Sequence, residues 1–472
     1  MQNNKIIQTV MLSLLLLFSM WVISALLDAG DSVRNVILGI GFFVVLIFSL
    51  WRKMPIDAKL LLIILMGYAL GGKGFGYLSP FEPVYIGEIC LALCACGLVL
   101  RINQAGLGDT NVHKLVWVYL IYGGIHLIVD YSEYRLLALR DSSMVYYSLY
   151  FMISYSLLQR NAMMDNFERI MKIALILSVM STVYRTLGFP NLAGMRPHPD
   201  AFMPLNVAAV LYYLVKGRDD KKISYILFAM FVALIVVTSK TAALVSLAIV
   251  IVSAVVYGRV RGLVIPSIVI VTVGMLGIMI TFFVNPDFIF DTIGSGATAE
   301  TFGLDGGEFV GVAGTTTEWR LDWWSQVWTD TMNIAPFWGQ GFGADITGPF
   351  LESWLGPAYA DATGYARFPH CVMFTVIGRL GLIGLFIFSL LFIALGFMAL
   401  KFSRRYFNSP DRRDADLIVY GVVVAGMVNG LLQATYEIPH GAITHWVCLG
   451  YIAVRYYRPA TYENEKPIVM DA

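Results

Sequence analysis

Three residues near the middle of this chain have types and spacing that could do chemistry. They are Arg320, inside TTTEWRLDWWSQVWTDTMNIAPFWGQGFGADI, and Arg367 and His370, which open and close RFPH. An imidazole at a helix start feels the positive end of the macrodipole, which favours the neutral form that a general base needs. Guanidinium forks match phosphate oxygens. Together they suit removal of a proton from a hydroxyl beside a phosphorylated ligand. The bland alternatives are a structural histidine and arginines on lipid headgroups.

Other segments supply more cations of this kind. RTLGFPNLAGMRPHPD carries Arg185, Arg196 and His198, EYRLLALRDSS carries Arg135 and Arg140, and TSKTAAL carries Lys240. Converging on one outer cavity, they would fit a ligand with two phosphates. Arg379 lies nine residues beyond His370, about 14 Å deeper at ~1.5 Å per residue. A charge at such depth costs ~2.5–3.5 kcal/mol on insertion scales, so it faces a wet cavity, snorkels, or pairs with a carboxylate such as Glu88 or Glu437. Glu437, in TYEIPH, could orient His370 or a sugar, or serve as a plain cap or ion-pair partner.

The elements that must position these residues are membrane helices. The chain has 472 residues, 58% of them hydrophobic and 14% charged, which predicts an all-α polytopic membrane protein. About fourteen apolar runs (12–14) are long enough to cross ~30 Å of hydrocarbon. They fall near residues 6–27, 34–51, 58–72, 83–100, 113–131, 142–158, 168–188, 201–216, 222–238, 241–257, 262–284, 370–400, 415–435 and 440–455. The first run lacks a small-residue cleavage site after it and reads as a span. With the N-terminus inside, 23 of the 33 basic residues, Lys172, Arg413 and Arg455 among them, fall on one face; positive charge accumulates on the cytoplasmic side of a membrane, which makes that face cytoplasmic, with both termini there.

Three regions follow: an N-terminal transmembrane bundle over 1–284 with about eleven helices, a periplasmic loop over 285–369, and C-terminal helices with a cytoplasmic tail over 370–472. The loop holds eleven acidic residues against Arg320 and Arg367. Its Trp-rich stretch predicts a short amphipathic helix, its indoles lying at the membrane interface. Pro336 ends that helix, and WGQGFG predicts a tight turn whose amides can approach a ligand.

Several chemistries lack their signatures. No HExxH, paired-His spacing, DxD or GxSxG occurs, so neither a metal site nor a serine hydrolase is expected. GGKGFG around Lys73 lacks the full phosphate-loop spacing and a preceding strand. The five cysteines lie in or beside apolar runs and read as packing residues. A net charge of +1 suggests no nucleic-acid partner. No repeat or symmetric pair of broken helices favours a transporter.

SKTAALVSLA, EWRLDWWSQVW, APFWGQGFG, RFPHCVMFTVIGRLGLIGL and VNGLLQATYEIP together resemble the O-antigen ligase and Wzy-type polysaccharide polymerase superfamily. The resemblance covers roughly residues 200–450 and is most specific from 318 to 385. GKGFGYL and VYIGEICLAL are similar to segments of its exopolysaccharide-polymerase members. It implies glycosyl transfer without metal or other cofactor, from an undecaprenyl-diphosphate-linked oligosaccharide to a glycan or lipid acceptor. The place implied is the periplasmic face of a bacterial inner membrane, with a flippase and a chain-length regulator as partners. His370 matches the family's histidine and Arg320 its loop arginine. Arg320, Arg196 and Lys240, with Arg140 and Arg367, would bind the diphosphate, and Glu437, Arg379 and Arg185 would support them. Lys240 stands where many members carry Arg, Cys371 where Asn is frequent, and Arg379 at a commonly acidic position. A polymerase of O-antigen, capsule or exopolysaccharide is the first expectation, a ligase moving finished glycan to lipid A-core the second, and a non-enzymatic lipid-linked-glycan transporter the third.

Overall fold

The computed structural model describes residues 54–76, 84–100, 107–108, 110–186, 199–216, 241–258, 316–348, 350 and 368–457. A lipid-embedded backbone must satisfy its own polar groups, and a helix does so within one segment. Among the described residues the regular structure is helical, with no β-strand. Thirteen helices are described: α1 (Ile56–Gly76), α2 (Ile86–Leu100), α3 (Asn111–Tyr134), α4 (Leu136–Asp141), α5 (Ser143–Tyr146), α6 (Leu149–Leu158), α7 (Asn161–Thr186), α8 (Pro199–Lys216), α9 (Thr241–Val256), α10 (Thr316–Ile334), α11 (Val372–Tyr406), α12 (Asp414–Leu432) and α13 (Pro439–Tyr457). The spans expected near 6–27, 34–51, 222–238 and 262–284 lie outside the described residues.

Three of these helices, α3, α11 and α12, are long and apolar enough to cross a membrane. On α11, Phe386, Leu390, Ile393 and Phe397 are exposed, and on α3 so are Ile121, Ile125 and Ile128. Spacings of three and four put each set on one helix face. An apolar stripe turned outward is what a lipid-facing helix presents, the reverse of a soluble one. The run near 142–158 is interrupted and forms α5 and α6, with α4 just before. There Ser142 Oγ donates to Leu139 O (2.8 Å) and Ser148 Oγ to Val145 O (2.7 Å), bonds that compete with regular helix geometry.

Central to the bundle is α12, which packs against α7, α8, α9, α11 and α13. Helices from both sides of the long loop therefore share one core. Gly421 lets α12 approach α8 closely, since a Cβ there would lie 2.6 Å from Ala208 Cα. At the Asp414 end of α12, Lys172 Nζ meets Asp414 (2.6 Å), Arg413 Nη1 meets Asp165 (2.6 Å) and Arg455 Nη2 meets Asp416 (3.1 Å). These are cations assigned above to the cytoplasmic face. Of the described candidates, Arg320, His370 and Glu437 gather at the Leu432 end.

Candidate functional site

The site is framed by a break in α11. Gly381 has φ 66° and ψ −166° in the middle of that helix, a left-handed backbone that glycine adopts without the Cβ penalty. The WGQGFG turn docks against the break. Gln340 N donates to Gly378 O (2.8 Å) and Gly341 N to Arg379 O (3.1 Å), while Leu382 N donates to Pro336 O (2.9 Å) and Ile383 N to Phe337 O (3.4 Å). An unbroken helix would pair those two carbonyls with those two amides. The turn thus replaces the bonds that the break removes, as burial of the backbone demands.

Carboxylates hold the next two amides of the turn. Phe342 N donates to Asp130 Oδ2 (2.7 Å) and Gly343 N to Asp141 Oδ2 (3.0 Å). Arg379, fully buried, pairs through Nη2 with Asp141 (2.9 Å) and donates through Nη1 to Gly341 O (3.3 Å) and to Ala344 O. Two expectations change here. The partner of Arg379 is Asp141, because both bind the WGQGFG turn, Asp141 at Gly343 N and Arg379 at Gly341 O and Ala344 O; Glu88 instead accepts from the hydroxyls of Tyr146 (3.1 Å) and Tyr147 and from Tyr85 N (2.8 Å). The WGQGFG amides from Gln340 to Gly343 bond to the protein itself.

His370 sits just outside α11. The helix begins at Val372 with Cys371 as its N-cap, so His370 precedes the cap instead of opening the first turn. Its φ of 51° is left-handed, an uncommon backbone for any side chain but glycine. Helix α10 holds it there. Trp324 Nε1 donates to Pro369 O (2.7 Å), its ring stacks on Phe374 at 5.2 Å, and Trp323 lies edge-on to His370 at 5.8 Å while stacking on Phe350 at 5.6 Å. The membrane-interface reading of the tryptophans fails for Trp323, which is fully buried, whereas Trp328 is 45% exposed. Two of the indoles build the histidine's seat.

A second turn, between α12 and α13, completes the arrangement. Arg320 Nη1 donates to Leu432 O (3.2 Å), at the end of α12 where the helix carbonyls concentrate negative potential. Glu437 is 3% exposed, its Oε1 lies 2.7 Å from Thr375 Oγ1, and its carbonyl accepts from Ser143 Oγ (3.0 Å). Burial pushes its carboxyl up to about 7, with the Thr375 hydroxyl and the amides of Glu437 and Tyr436 opposing the shift. The Cys371 thiol is also raised, first by burial and then by the charge of Glu437, with Arg320 acting the other way. Cys371 therefore lies within electrostatic reach of both. Arg140, half-buried at the end of α4, is three residues before Ser143.

Not every candidate falls in view. Arg196, Lys240 and Arg367 lie outside the described residues, as does the side chain of Arg185 in the last turn of α7. Asp130, Asp141, Ser143 and Thr375 were missed in the sequence. An isolated acid next to an outward arginine, as in Arg140–Asp141, was the available signal for one of them. Among the described residues no group of three or more His, Cys, Asp or Glu is placed to hold a metal ion.

Fold and site together define a helical membrane protein with an arginine, a histidine and a buried carboxyl set around two turns at one end of its bundle. A family model described as O-antigen ligase matches residues 225–389, about a third of the chain, and this similarity supports the O-antigen ligase/Wzy superfamily. Arg320, His370 and Arg379 lie inside the matched stretch, and Arg140 and Glu437 outside it. The match supports an O-antigen ligase/polymerase-type function within a family of glycosyltransferase-like enzymes, and with the apolar helices it points to a bacterial membrane protein. No curated protein matches the chain.

Proposed function

We propose that this protein is a polysaccharide polymerase that joins glycan repeat units carried on undecaprenyl diphosphate, at the periplasmic face of the inner membrane. The observation that carries this reading is the linkage of α10 to the His370 turn: the helix that presents Arg320 also seats His370, through Trp323 and Trp324. A cation and a base delivered by one element suit a reaction that needs both at once.

In the proposed reaction His370 accepts the proton of the acceptor sugar hydroxyl, and that oxygen forms a bond to the anomeric carbon of the donor. The bond from that carbon to the diphosphate oxygen breaks, the lipid diphosphate keeps the electron pair, and one displacement inverts the anomeric centre. Arg320, with Arg196, Lys240, Arg140 and Arg367, stabilises the charge that develops on the leaving diphosphate without a metal ion. Arg379 acts through the clamp on the turn, and Arg185 supports the diphosphate site from the end of α7. The wealth of basic residues at the Asp414 end of α12 supports a cytoplasmic placement for that end and for both termini.

The description of the matched family favours a ligase as the second reading. Purified protein given a lipid-diphosphate repeat unit separates the two. A ladder of lengthening glycans supports the polymerase. A single transfer that appears only when lipid A-core or another acceptor is added supports the ligase, and no glycosyl transfer under either condition overturns both.

A further inference from the structure

Thr375 occupies a position that the proposed chemistry does not use. Its Oγ1 lies 2.7 Å from Glu437 Oε1 and 3.1 Å from Cys371 O, one helical turn back and next in sequence to His370. A hydroxyl carries one proton and can donate it to one of these acceptors at a time. With Glu437 ionised, the shorter bond to a carboxylate takes that proton. With Glu437 protonated, the carboxyl can donate to Thr375 Oγ1, and the hydroxyl proton becomes free for the Cys371 carbonyl. The backbone beside His370 then gains a second hydrogen bond.

We infer that Glu437 is a positioning residue for His370, its proton deciding through Thr375 how firmly the Cys371 backbone is held. This rests on the glycosyl-transfer reading for its consequence in activity, though not for the switch itself. Geometry supports it from three sides. The turn that carries Glu437 also bonds Ser143 through its carbonyl and lies just after Leu432 O, the acceptor of Arg320. Thr375 is fully buried and Glu437 nearly so, so water competes little for these bonds. The titratable and charged groups that face the carboxyl are Tyr119 from α3, Cys371 at the start of α11 and Tyr436 on its own turn, with Arg320 of α10 sharing the field at Cys371. Burial puts the Glu437 proton in the neutral range, where such a switch would operate.

The test uses the full-length protein in lipid nanodiscs and two readouts. In the first, kcat and donor KM for lipid-diphosphate glycan are followed from acid to alkaline pH in the wild type, Glu437→Gln, Thr375→Val and Thr375→Ser. Glu437→Gln, whose amide can donate to Thr375 as the protonated carboxyl does, is expected to hold kcat near the wild-type value for the protonated state, and Thr375→Val, which removes the bond to Cys371 O, to lower it by about fivefold to tenfold, the worth of one hydrogen bond; both leave donor KM little changed and lose the part of the wild-type pH dependence that belongs to Glu437. Thr375→Ser, which keeps the hydroxyl, is expected to behave as wild type. In the second, backbone hydrogen–deuterium exchange of the peptide spanning His370 to Thr375 is followed against pH by mass spectrometry without substrate, corrected for the intrinsic pH dependence of exchange; the wild type is expected to show an inflection in protection that both Glu437→Gln and Thr375→Val lose. An inflection unchanged in these variants overturns the inference even if the glycan is transferred. An exchange inflection that depends on both residues, in a protein that transfers nothing, upholds the switch and overturns the glycosyl-transfer reading. Should Glu437→Gln fail to fold, Thr375→Val carries both readouts.

Discussion

Replacing Arg379 by methionine should unsettle the site from a distance. The variant leaves Asp141 fully buried without its guanidinium and strips a donor from Gly341 O and Ala344 O. Removing one member of a buried ion pair costs ~3–5 kcal/mol, because the remaining charge stays desolvated. Asp141 also holds Gly343 N, so the loss reaches the turn that repairs the break at Gly381. Thermal unfolding in detergent should show a marked fall in apparent Tm for Arg379→Met. The double variant Arg379→Met with Asp141→Leu, which removes both charges, should regain part of it, with a coupling of roughly 1–3 kcal/mol. At a temperature where the single variant is still folded, kcat should fall with little change in donor KM. A single variant as stable as wild type, or single effects that simply add in the double variant, would refute the clamp.

Other predictions follow from the same geometry. Gly339→Ala and Gly381→Ala should yield little monodisperse protein on size exclusion, since a Cβ at either would lie 2.4 Å from backbone atoms of the facing segment, at φ 83° and 66°; Gly124→Ala, with open space around it, should be neutral or stabilising by up to ~1 kcal/mol. Trp324→Phe should lower kcat about fivefold to tenfold by removing the bond to Pro369 O, whereas Trp328→Phe, at an exposed position, should change it little. Stability should also depend on pH through Glu437. A carboxyl whose folded value is raised stabilises the fold in full below its ordinary 4.5, and the contribution is lost as pH rises through about 7. Between those values the loss is about 3 kcal/mol at ~1.36 kcal/mol per pH unit, so the Tm advantage of Glu437→Gln over wild type should grow from pH 5 to pH 8.

How much of this was legible in the residues varied with the physics involved. Apolar runs in a membrane admit few structures, so the helices beginning at Asn111, Val372, Asp414 and Pro439 could be placed within a few residues. The count of basic residues groups Lys172, Arg413 and Arg455 together, and they gather at one end of the bundle. The break at Gly381 was hidden, because a lone glycine in RLGLIGL looks like any small residue packed in a membrane helix. Hence the glycines of WGQGFG look like room for a ligand in the sequence, whereas in the structure they make room for α11. The choice of Asp141 over Glu88 or Glu437 as partner for Arg379 depends on which loop docks against the break, which spacing along the chain cannot supply. Trp323 misled for a similar reason, since an indole facing a membrane and one facing a histidine turn share the same helical pattern.

The mechanism turns on the proposal that Arg320 and His370 act together on one diphosphate-linked glycan. Its most direct measurement is the transfer rate from lipid-diphosphate repeat units by nanodisc-embedded wild type, His370→Ala and Arg320→Ala, each first shown to keep the wild-type apparent Tm. His370→Ala should lower the rate by about 10²-fold or more with donor affinity retained, and Arg320→Ala should lose both rate and affinity for the lipid diphosphate. Wild-type transfer by either variant would contradict that proposal.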